Sequence, residues 1–159
     1  YQGQAIQSKS GHSYIKEKMR EHNAVYGGEM SAHHYFRDFS YCDSGMIPWL
    51  LAVSVLSETQ QTLSSLVEDM IAKFPCSGEI NFKVADTQAT IQKIFDHYAN
   101  QNPVIDYTDG VSLDFGAWRF NVRASNTEPL LRLNIESRAD QNAMPMQNYV
   151  DELSRIILG

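Results

Sequence analysis

The sequence contains few of the features that mark redox, metal-binding or membrane proteins. Cysteine occurs only at positions 42 and 76, without a Cys-x-x-Cys pair. We therefore expect two reduced thiols and leave open a disulfide between them. No apolar run is long enough to span a membrane, and residues 1–10 are too polar for the core of a signal peptide. The sequence therefore predicts a cytoplasmic protein without a membrane partner.

Positive charge is also scarce. The 13 Lys and Arg residues are outnumbered by 19 Asp and Glu residues, which gives a formal net charge of -6. This charge repels nucleic acid and anionic membrane surfaces, and no basic cluster reverses it locally. No glycine-rich nucleotide loop, Gly-x-Ser-x-Gly motif or His-Glu-x-x-His motif is present. We therefore expect any anionic ligand to be small and enclosed.

Residues 1–73 contain more predicted helix than predicted strand. Apolar residues at helical spacing predict a helix over 62–72 that packs one face on a core, with Thr62 as its N-cap. Residues 46–56 are apolar nearly all round and predict a buried helix, and a further helix is predicted before the single short strand over 24–26. One strand cannot make a sheet, so this segment has the pattern of the end of an α/β domain. Residues 74–78 then break the helical pattern and predict a linker to a second domain over 74–159.

Residues 74–159 show the alternation of a half-buried sheet. A strand and a helix precede three alternating segments centred on Leu113, Phe120 and Leu133, and a helix that ends near Leu158 follows. This order predicts an α+β domain with a four-stranded, largely antiparallel sheet and both helices on its apolar face. The opposite face is predicted to be polar. Its residues on two neighbouring strands are Arg119, Asn121, Arg123, Arg132, Asn134 and Glu136.

The connection between these two strands is rich in hydrogen-bond donors. The donors are those of Arg123, Ser125, Asn126 and Thr127. A phosphate presents several acceptor oxygens, and a short turn can aim side-chain and backbone donors at one of them, with Arg as a bidentate fork. The plainer interpretation is a loop of common turn residues. Arg132 nearby modestly favours the phosphate site.

A second polar cluster follows the strand predicted over 24–26. Paired glycines at 27 and 28 would let the backbone turn sharply and would leave Glu29 exposed. The Glu29 carboxylate can accept hydrogen bonds from two neighbouring sugar hydroxyls, and Ser31 can donate or accept beside it. The plain alternative is a glycine turn with polar surface groups. His12 would by itself be a capping or surface histidine.

A metal site is a further interpretation of this segment. It would recruit His33, His34, Glu29 and Asp38. Adjacent histidines usually diverge, however, and the segment shows no recognised ligand spacing. We therefore predict no metal site here.

Two motifs resemble those of a known enzyme family. Gly-Gly-Glu-Met-Ser-Ala-His at 27–33 and Arg-Ala-Ser-Asn-Thr-Glu-Pro at 123–129 resemble the sugar-binding and phosphate-binding loops of the α-D-phosphohexomutases, most closely the bacterial phosphomannomutases. The resemblance extends to residues 11–16, 41–45 and 77–81, so it spans nearly the whole chain. The family has four domains. The resemblance assigns residues 1–73 to the C-terminal part of the third domain and residues 74–159 to the fourth.

The resemblance implies a role for each candidate residue. Glu29 and Ser31 would hold sugar hydroxyls, and His12 would touch the substrate. The phosphate that is not reacting would be clamped by Arg123, Ser125, Asn126 and Thr127. No catalytic residue and no metal ligand is expected in this chain. Ala32 departs from the family, since many members have glycine there, and it would slightly alter the sugar loop.

The resemblance also implies the reaction. In the family, a phosphoserine of the first domain phosphorylates a hexose phosphate, the bisphosphate turns over, and the other phosphate returns to the serine. Mg²⁺ assists from the second domain, and a hexose bisphosphate acts as activator. We therefore expect a phosphomannomutase that interconverts mannose 6-phosphate and mannose 1-phosphate for GDP-mannose synthesis.

The expected partners are a hexose phosphate and the missing N-terminal domains of the same polypeptide. Residues 1–159 alone would be inactive, because the phosphoserine loop and the metal loop are absent from them. Three alternatives stay open. They are a phosphoglucomutase or a mutase of mixed specificity, a non-catalytic module that senses a phosphosugar, and a scaffold without a ligand.

Overall fold

The computed structural model describes residues 3–125, 129–139 and 143–159. By its internal contacts the chain divides into two compact units, Tyr1–Ser65 and Leu66–Gly159. The domain boundary predicted between residues 73 and 74 stays a prediction. Each unit is described by itself below.

The first unit contains a small antiparallel sheet. Its elements are α1 (His12–Glu21), β1 (Tyr26–Gly28), β2 (His34–Phe36), β3 (Cys42–Asp43) and α2 (Met46–Thr59). The strands pair in the order β1-β2-β3, so the expectation of one lone strand over 24–26 is wrong. Strands of two or three residues are too short to produce a readable alternation. Ile15, Met19 and Tyr35 form the buried core of this unit.

Gly27 and Gly28 lie within β1 rather than in the predicted sharp turn. A Cβ atom on Gly27 would lie 2.8 Å from the Met19 sulfur and 2.9 Å from Ile15 Cγ2. Glycine therefore lets α1 approach the strand closely. The chain reverses later, over residues 29–33, where Ala32 adopts a left-handed φ of 63°. A left-handed residue at the end of a short hairpin loop is usually glycine.

The helix α2 and the next helix, α3 (Leu63–Lys73), begin close to their predicted positions. The Thr62 hydroxyl accepts a hydrogen bond from the Ser65 amide at 3.1 Å, which confirms the predicted cap. The predicted burial of both helices is wrong, since no residue of either helix is buried. Trp49 is 58% exposed and Met70 is 56% exposed, because no element among the described residues covers them. No helix in the described ranges is long and apolar enough to cross a membrane.

The second unit is an antiparallel sheet with two helices. Its elements are β4 (Cys76–Lys83), α4 (Thr87–Tyr98), β5 (Val104–Asp106), β6 (Val111–Asp114), β7 (Trp118–Ala124), β8 (Leu130–Ser137) and α5 (Met146–Leu158). The strands pair in the order β4-β8-β7-β6-β5. The predicted combination of an antiparallel sheet and two amphipathic helices is confirmed. Asp86 caps α4, because its carboxylate accepts a hydrogen bond from the Ala89 amide.

Among the described residues, the sheet has five strands rather than the predicted four. The additional strand, β5, occupies an edge and pairs only with β6 among the described strands. Val104 and Ile105 remain 74% and 41% exposed, so β5 lacks the alternation that identifies a half-buried strand. The preceding Asn102-Pro103 pair signals only the end of a helix.

One face of this sheet forms the core of the second unit. The apolar positions of β7 and β8 alternate with polar ones, as predicted, and they pack against α4 and α5. Phe120, Val122, Leu131, Leu133 and Ile135 are each at most 1% exposed. The polar positions of the same strands therefore point away from the helices, onto the opposite face.

Candidate functional site

The polar face of β7 and β8 carries the predicted phosphate ligands. Paired residues in neighbouring strands face the same side, and Arg123 pairs with Arg132. The next two pairs on the polar face are Asn121 with Asn134 and Arg119 with Glu136. Two arginines thus stand side by side at the end of the ladder nearest the loop 125–129.

A glutamate lies between these two arginines. The Arg123 Nη2 atom is 3.4 Å from Glu79 Oε2, and the Arg132 Nε atom is 3.7 Å from Glu79 Oε1. Both distances exceed the 2.7–2.9 Å or so of a strong charge-assisted hydrogen bond. The side chains of Arg123 and Arg132 are each 26% exposed, so solvent and a small ligand can reach them.

The same face contains polar atoms without a hydrogen-bond partner among the described residues. Among the described residues, the Arg132 Nε atom and the Asn134 Oδ1 atom are buried and make no hydrogen bond. Buried polar atoms in folded proteins are nearly always hydrogen-bonded to protein, water or a ligand. These atoms give the face hydrogen-bonding capacity next to Arg123.

The loop after β7 is anchored at its described ends. The Ser125 amide donates a hydrogen bond of 2.8 Å to the Leu130 carbonyl, which closes the hairpin between β7 and β8. Asn126 and Thr127, two of the predicted phosphate ligands, lie outside the described residues. Their roles stay predictions, as does that of Ser125.

Glu29, the predicted sugar ligand, is held by two donors. The Tyr35 hydroxyl donates to Glu29 Oε1 at 2.5 Å, and the Gly11 amide donates to Glu29 Oε2 at 3.1 Å. Glu29 is half-buried, so the expectation that the glycine turn leaves it exposed is wrong. It is drawn inward because Tyr35 belongs to the core and is 1% exposed. Burial raises the pKa of the Tyr35 phenol, and the hydrogen bond to Glu29 raises it further.

The other two predicted sugar contacts, His12 and Ser31, lie next in sequence to, or within, segments that hydrogen-bond with Glu29. His12 opens α1, directly after the Gly11 amide that Glu29 binds. Ser31 lies in the loop that begins at Glu29, which is closed by a hydrogen bond of 3.0 Å from the Glu29 amide to the His33 carbonyl. Both His12 and Ser31 are exposed. The first unit thus joins the start of α1 and the hairpin loop through one carboxylate.

The histidines beside this loop bind protein groups. His33 Nδ1 donates to Asp43 Oδ2 at 2.7 Å, and His34 Nδ1 forms a 2.7 Å hydrogen bond with the Tyr26 hydroxyl. The contact with Asp43 raises the pKa of His33 and lowers the pKa of Asp43. Within the described ranges, no three His, Cys, Asp or Glu side chains converge in a way that could hold a metal.

Sequence reasoning missed the roles of Glu79 and Tyr35. The alternation of β4 places Glu79 on the polar face but does not show which side chains it meets. Tyr35 lies in a strand of three residues, in which alternation cannot be detected. The only local signal was an aromatic residue with a hydroxyl near an acidic loop residue.

Two family models match this chain. Residues 1–74 match the model described as phosphoglucomutase/phosphomannomutase, alpha/beta/alpha domain III. Residues 79–153 match the model of the C-terminal domain of the same family. This chain belongs to the phosphohexomutase family.

Curated relatives agree with this membership. A protein of Xanthomonas campestris pv. campestris named "Phosphohexose mutases" is 58% identical over 157 residues, which covers 99% of this chain and 35% of the relative. A phosphomannomutase of Salmonella typhimurium is 56% identical over 87% of this chain and 30% of its own length. A phosphomannomutase of Vibrio cholerae is 53% identical over 98% of this chain and 33% of its own length. The phosphohexomutase chain thus spans about a third of the length of these relatives.

A solved structure shares the fold. A phosphoglucomutase/phosphomannomutase family protein from Burkholderia thailandensis superposes with a TM-score of 0.67 at 24% identity. The match covers 96% of this chain and 32% of the other chain. The likeness extends over both units described above.

Proposed function

We propose that this chain forms the substrate-binding part of a phosphomannomutase, which interconverts mannose 6-phosphate and mannose 1-phosphate through a bisphosphate intermediate. The observation that carries the proposal is the pair Arg123 and Arg132 on the polar face, beside a loop whose sequence offers further donors. The names of the Salmonella and Vibrio relatives support mannose as the sugar.

Arg123 is assigned to the phosphate on chemical grounds. Its guanidinium is a planar fork that can donate two parallel hydrogen bonds to one phosphate. Arg132 adds a second positive charge directly beside Arg123. Ser125, Asn126 and Thr127 would complete the set of donors.

Glu29 is assigned to sugar hydroxyls. A carboxylate has about four lone-pair positions, and Tyr35 and Gly11 occupy one on each oxygen. The remaining positions can accept from two neighbouring hydroxyls, while the protein contacts fix the carboxylate's orientation. Ser31 and His12 would contact the sugar beside it.

This division of labour suits a mutase. Recognition of a phosphate by Arg123 and of hydroxyls by Glu29 does not require the phosphate to be on one particular carbon of the sugar, as the two half-reactions of a mutase demand. The phosphoserine, Mg²⁺ and the hexose bisphosphate activator stay expectations from the family resemblance. We expect the isolated chain to bind substrate without converting it.

The proposal is tested by substitutions in the full-length enzyme. Arg123→Ala should weaken phosphate-dependent binding by about 1.5–3 kcal/mol, which is roughly 10- to 150-fold in the Michaelis constant or in kcat/KM. Arg119→Ala is the matched control, because Arg119 lies on the same strand and face and pairs with Glu136. Unchanged kinetics in Arg123→Ala would contradict the phosphate role.

The sugar role has a separate test. Glu29→Gln should weaken binding of mannose 6-phosphate and leave the affinity for inorganic phosphate nearly intact, because the carboxylate addresses hydroxyls. Equal losses for both ligands would contradict this assignment.

A phosphoglucomutase or a mutase of mixed specificity is the second candidate. It is favoured by the family description, which names both activities, and by the broader name of the Xanthomonas relative. Steady-state kinetics on mannose 1-phosphate and glucose 1-phosphate distinguish the two, because a phosphomannomutase should prefer the mannose compound in kcat/KM.

A further inference from the structure

Glu79 lies next to an irregularity in β4. Cys76 pairs with Glu136, whereas Glu79 pairs with Asn134, so three steps along β4 match two steps along β8. This is a β-bulge with one extra residue, a device that redirects side chains. The bulge changes the alignment of Cys76 and Ser77, whereas the alternation with Ile80 and Phe82, which face the core, places Glu79 on the polar face.

The bulge is built from specific local contacts. Gly78 adopts a left-handed φ of 68°, which glycine tolerates best. The Ser77 hydroxyl accepts a hydrogen bond of 2.9 Å from the Ile135 amide and donates one of 2.7 Å to the Gly78 carbonyl. These contacts hold the backbone directly before Glu79.

Electrostatics explains where the Glu79 carboxylate sits. Arg123 and Arg132 are directly opposite each other in the ladder, and like charges in that position repel. Glu79 approaches one guanidinium with each of its oxygens, so it neutralises part of this repulsion. A phosphate bound to the same arginines would present oxygens of the same charge to the same donors.

We propose that Glu79 is an internal competitor for the phosphate site, which occupies Arg123 and Arg132 when no ligand is bound and is displaced when phosphate arrives. The inference rests on the proposed phosphate role of Arg123. The Glu79 side chain is 30% exposed, and its contacts with the arginines are long. The carboxylate can therefore leave the arginines without breaking a strong hydrogen bond.

The competitor also has a use in the proposed reaction. A mutase must release phosphate from this clamp so that the sugar can reorient between the two half-reactions. Equally strong binding of every bound state would not raise the enzyme's kcat. A carboxylate that returns to the arginines favours this release.

The test is a titration of this chain with inorganic phosphate, followed by NMR at low ionic strength. Glu79→Gln removes the charge and keeps the shape, so it should bind phosphate about three- to tenfold more tightly than the parent chain. The gain should shrink as sodium chloride is added, because salt screens the repulsion between the carboxylate and the phosphate. Glu79→Asp keeps the charge and should stay within about twofold of the parent.

Glu136→Gln is the matched control. Glu136 lies on the same face and pairs with Arg119 at 2.8 Å. Arg119 is four residues from Arg123 along β7, about 13 Å in a strand, which exceeds the screening length of about 8 Å at physiological salt. Its substitution should leave the phosphate affinity unchanged at that salt concentration.

The outcomes separate this inference from the proposed function. Unchanged or weaker phosphate binding by Glu79→Gln overturns the competitor role, and weaker binding would mean that Glu79 positions Arg123. The competitor role is also overturned if Glu136→Gln binds phosphate more tightly than the parent chain at physiological salt. Phosphate binding that is identical in Arg123→Ala and the parent chain contradicts the proposed function instead.

Discussion

The two candidate binding segments are stabilised in different ways. In the second unit, the strand that carries Arg123 is part of a sheet whose apolar face belongs to a cluster of twelve buried residues among those described. In the first unit, the loop that carries Glu29 adjoins a cluster of three among the described residues, and most apolar residues of α2 are exposed. The strand that carries Arg123 is therefore stabilised by packing, whereas the loop that carries Glu29 relies more on hydrogen bonds, which include those to the Glu29 carboxylate.

Truncation of a core residue in the second unit should have the largest effect. Leu133→Ala removes a side chain that is 0% exposed, so it should lower the free energy of unfolding by about 2–5 kcal/mol. Leu50→Ala in α2, where the side chain is 54% exposed, should change it by no more than about 0.5 kcal/mol. Urea denaturation measures both. Similar losses in the two variants would remove the contrast between the units.

Removal of the hydrogen bond from Tyr35 to Glu29 tests what stabilises the loop of the first unit. Tyr35→Phe leaves a half-buried carboxylate without its hydroxyl donor, which should cost about 1–2 kcal/mol. Tyr26→Phe is the control, because that hydroxyl bonds to His34 at an exposed position and should matter by about 0.5 kcal/mol or less. Denaturation followed through NMR signals of residues 12–43 reports on this unit. Equal effects would mean that Glu29 is not held by Tyr35.

Substitution of Ala32 in the same loop should have a smaller effect on stability than Tyr35→Phe, and it should stabilise rather than destabilise. Its left-handed backbone disfavours any residue with a Cβ atom, so Ala32→Gly should stabilise the first unit by about 0.5–1 kcal/mol. The same substitution within α2, Ala52→Gly, should destabilise by about 1 kcal/mol, because glycine is a poor helix residue. Thermal unfolding of the two variants should therefore shift in opposite directions. Destabilisation by Ala32→Gly would contradict the strain.

The smallest expected effect concerns the pair of His33 and Asp43. The raised pKa of His33 gives a contribution that is complete below the ordinary value of 6.5 and is lost as pH rises through the raised value. The lowered pKa of Asp43 gives a contribution that is complete above 3.8 and is lost as pH falls through the lowered value. The pair is therefore most favourable between these two ordinary values.

An NMR titration of the histidine ring protons checks this pair. Asp43→Asn should move the His33 midpoint down toward 6.5. Asp38→Asn, which removes an exposed partner of Arg37, should leave it in place. If Asp43→Asn leaves the titration midpoint of His33 unchanged, the contact between His33 and Asp43 is absent in solution.

Periodicity predicted the second unit better than the first for a physical reason. The long strands around Phe120 and Leu133 alternate over seven and eight residues, and one buried face makes that pattern strong. The strands of the first unit have two or three residues, so their pairing depends on contacts that a sequence pattern does not encode. The apolar content of α2 and the amphipathic pattern of α3 also located these helices, but neither could reveal that most of their apolar residues are exposed in the described part of the chain.

The candidate site divides in the same way. The polar face with Arg123 follows directly from alternation. The side on which Glu79 lies follows from the same alternation, but its contacts with Arg123 and Arg132 depend on how β4 pairs with β8, which the pattern of one strand does not encode. The contact of Tyr35 with Glu29 likewise forms only when the hairpin closes.

The most direct test of the account is a map of the backbone amides of this chain during titration with inorganic phosphate. We predict that the largest shifts occur at Arg123, Ser125 and Arg132 in the second unit, and that the amides of Glu29 and Ser31 stay unchanged until mannose 6-phosphate replaces phosphate. Shifts confined to other surfaces, or no shifts at Arg123 and Arg132 with either ligand, would contradict the claim that this polar face binds the phosphate.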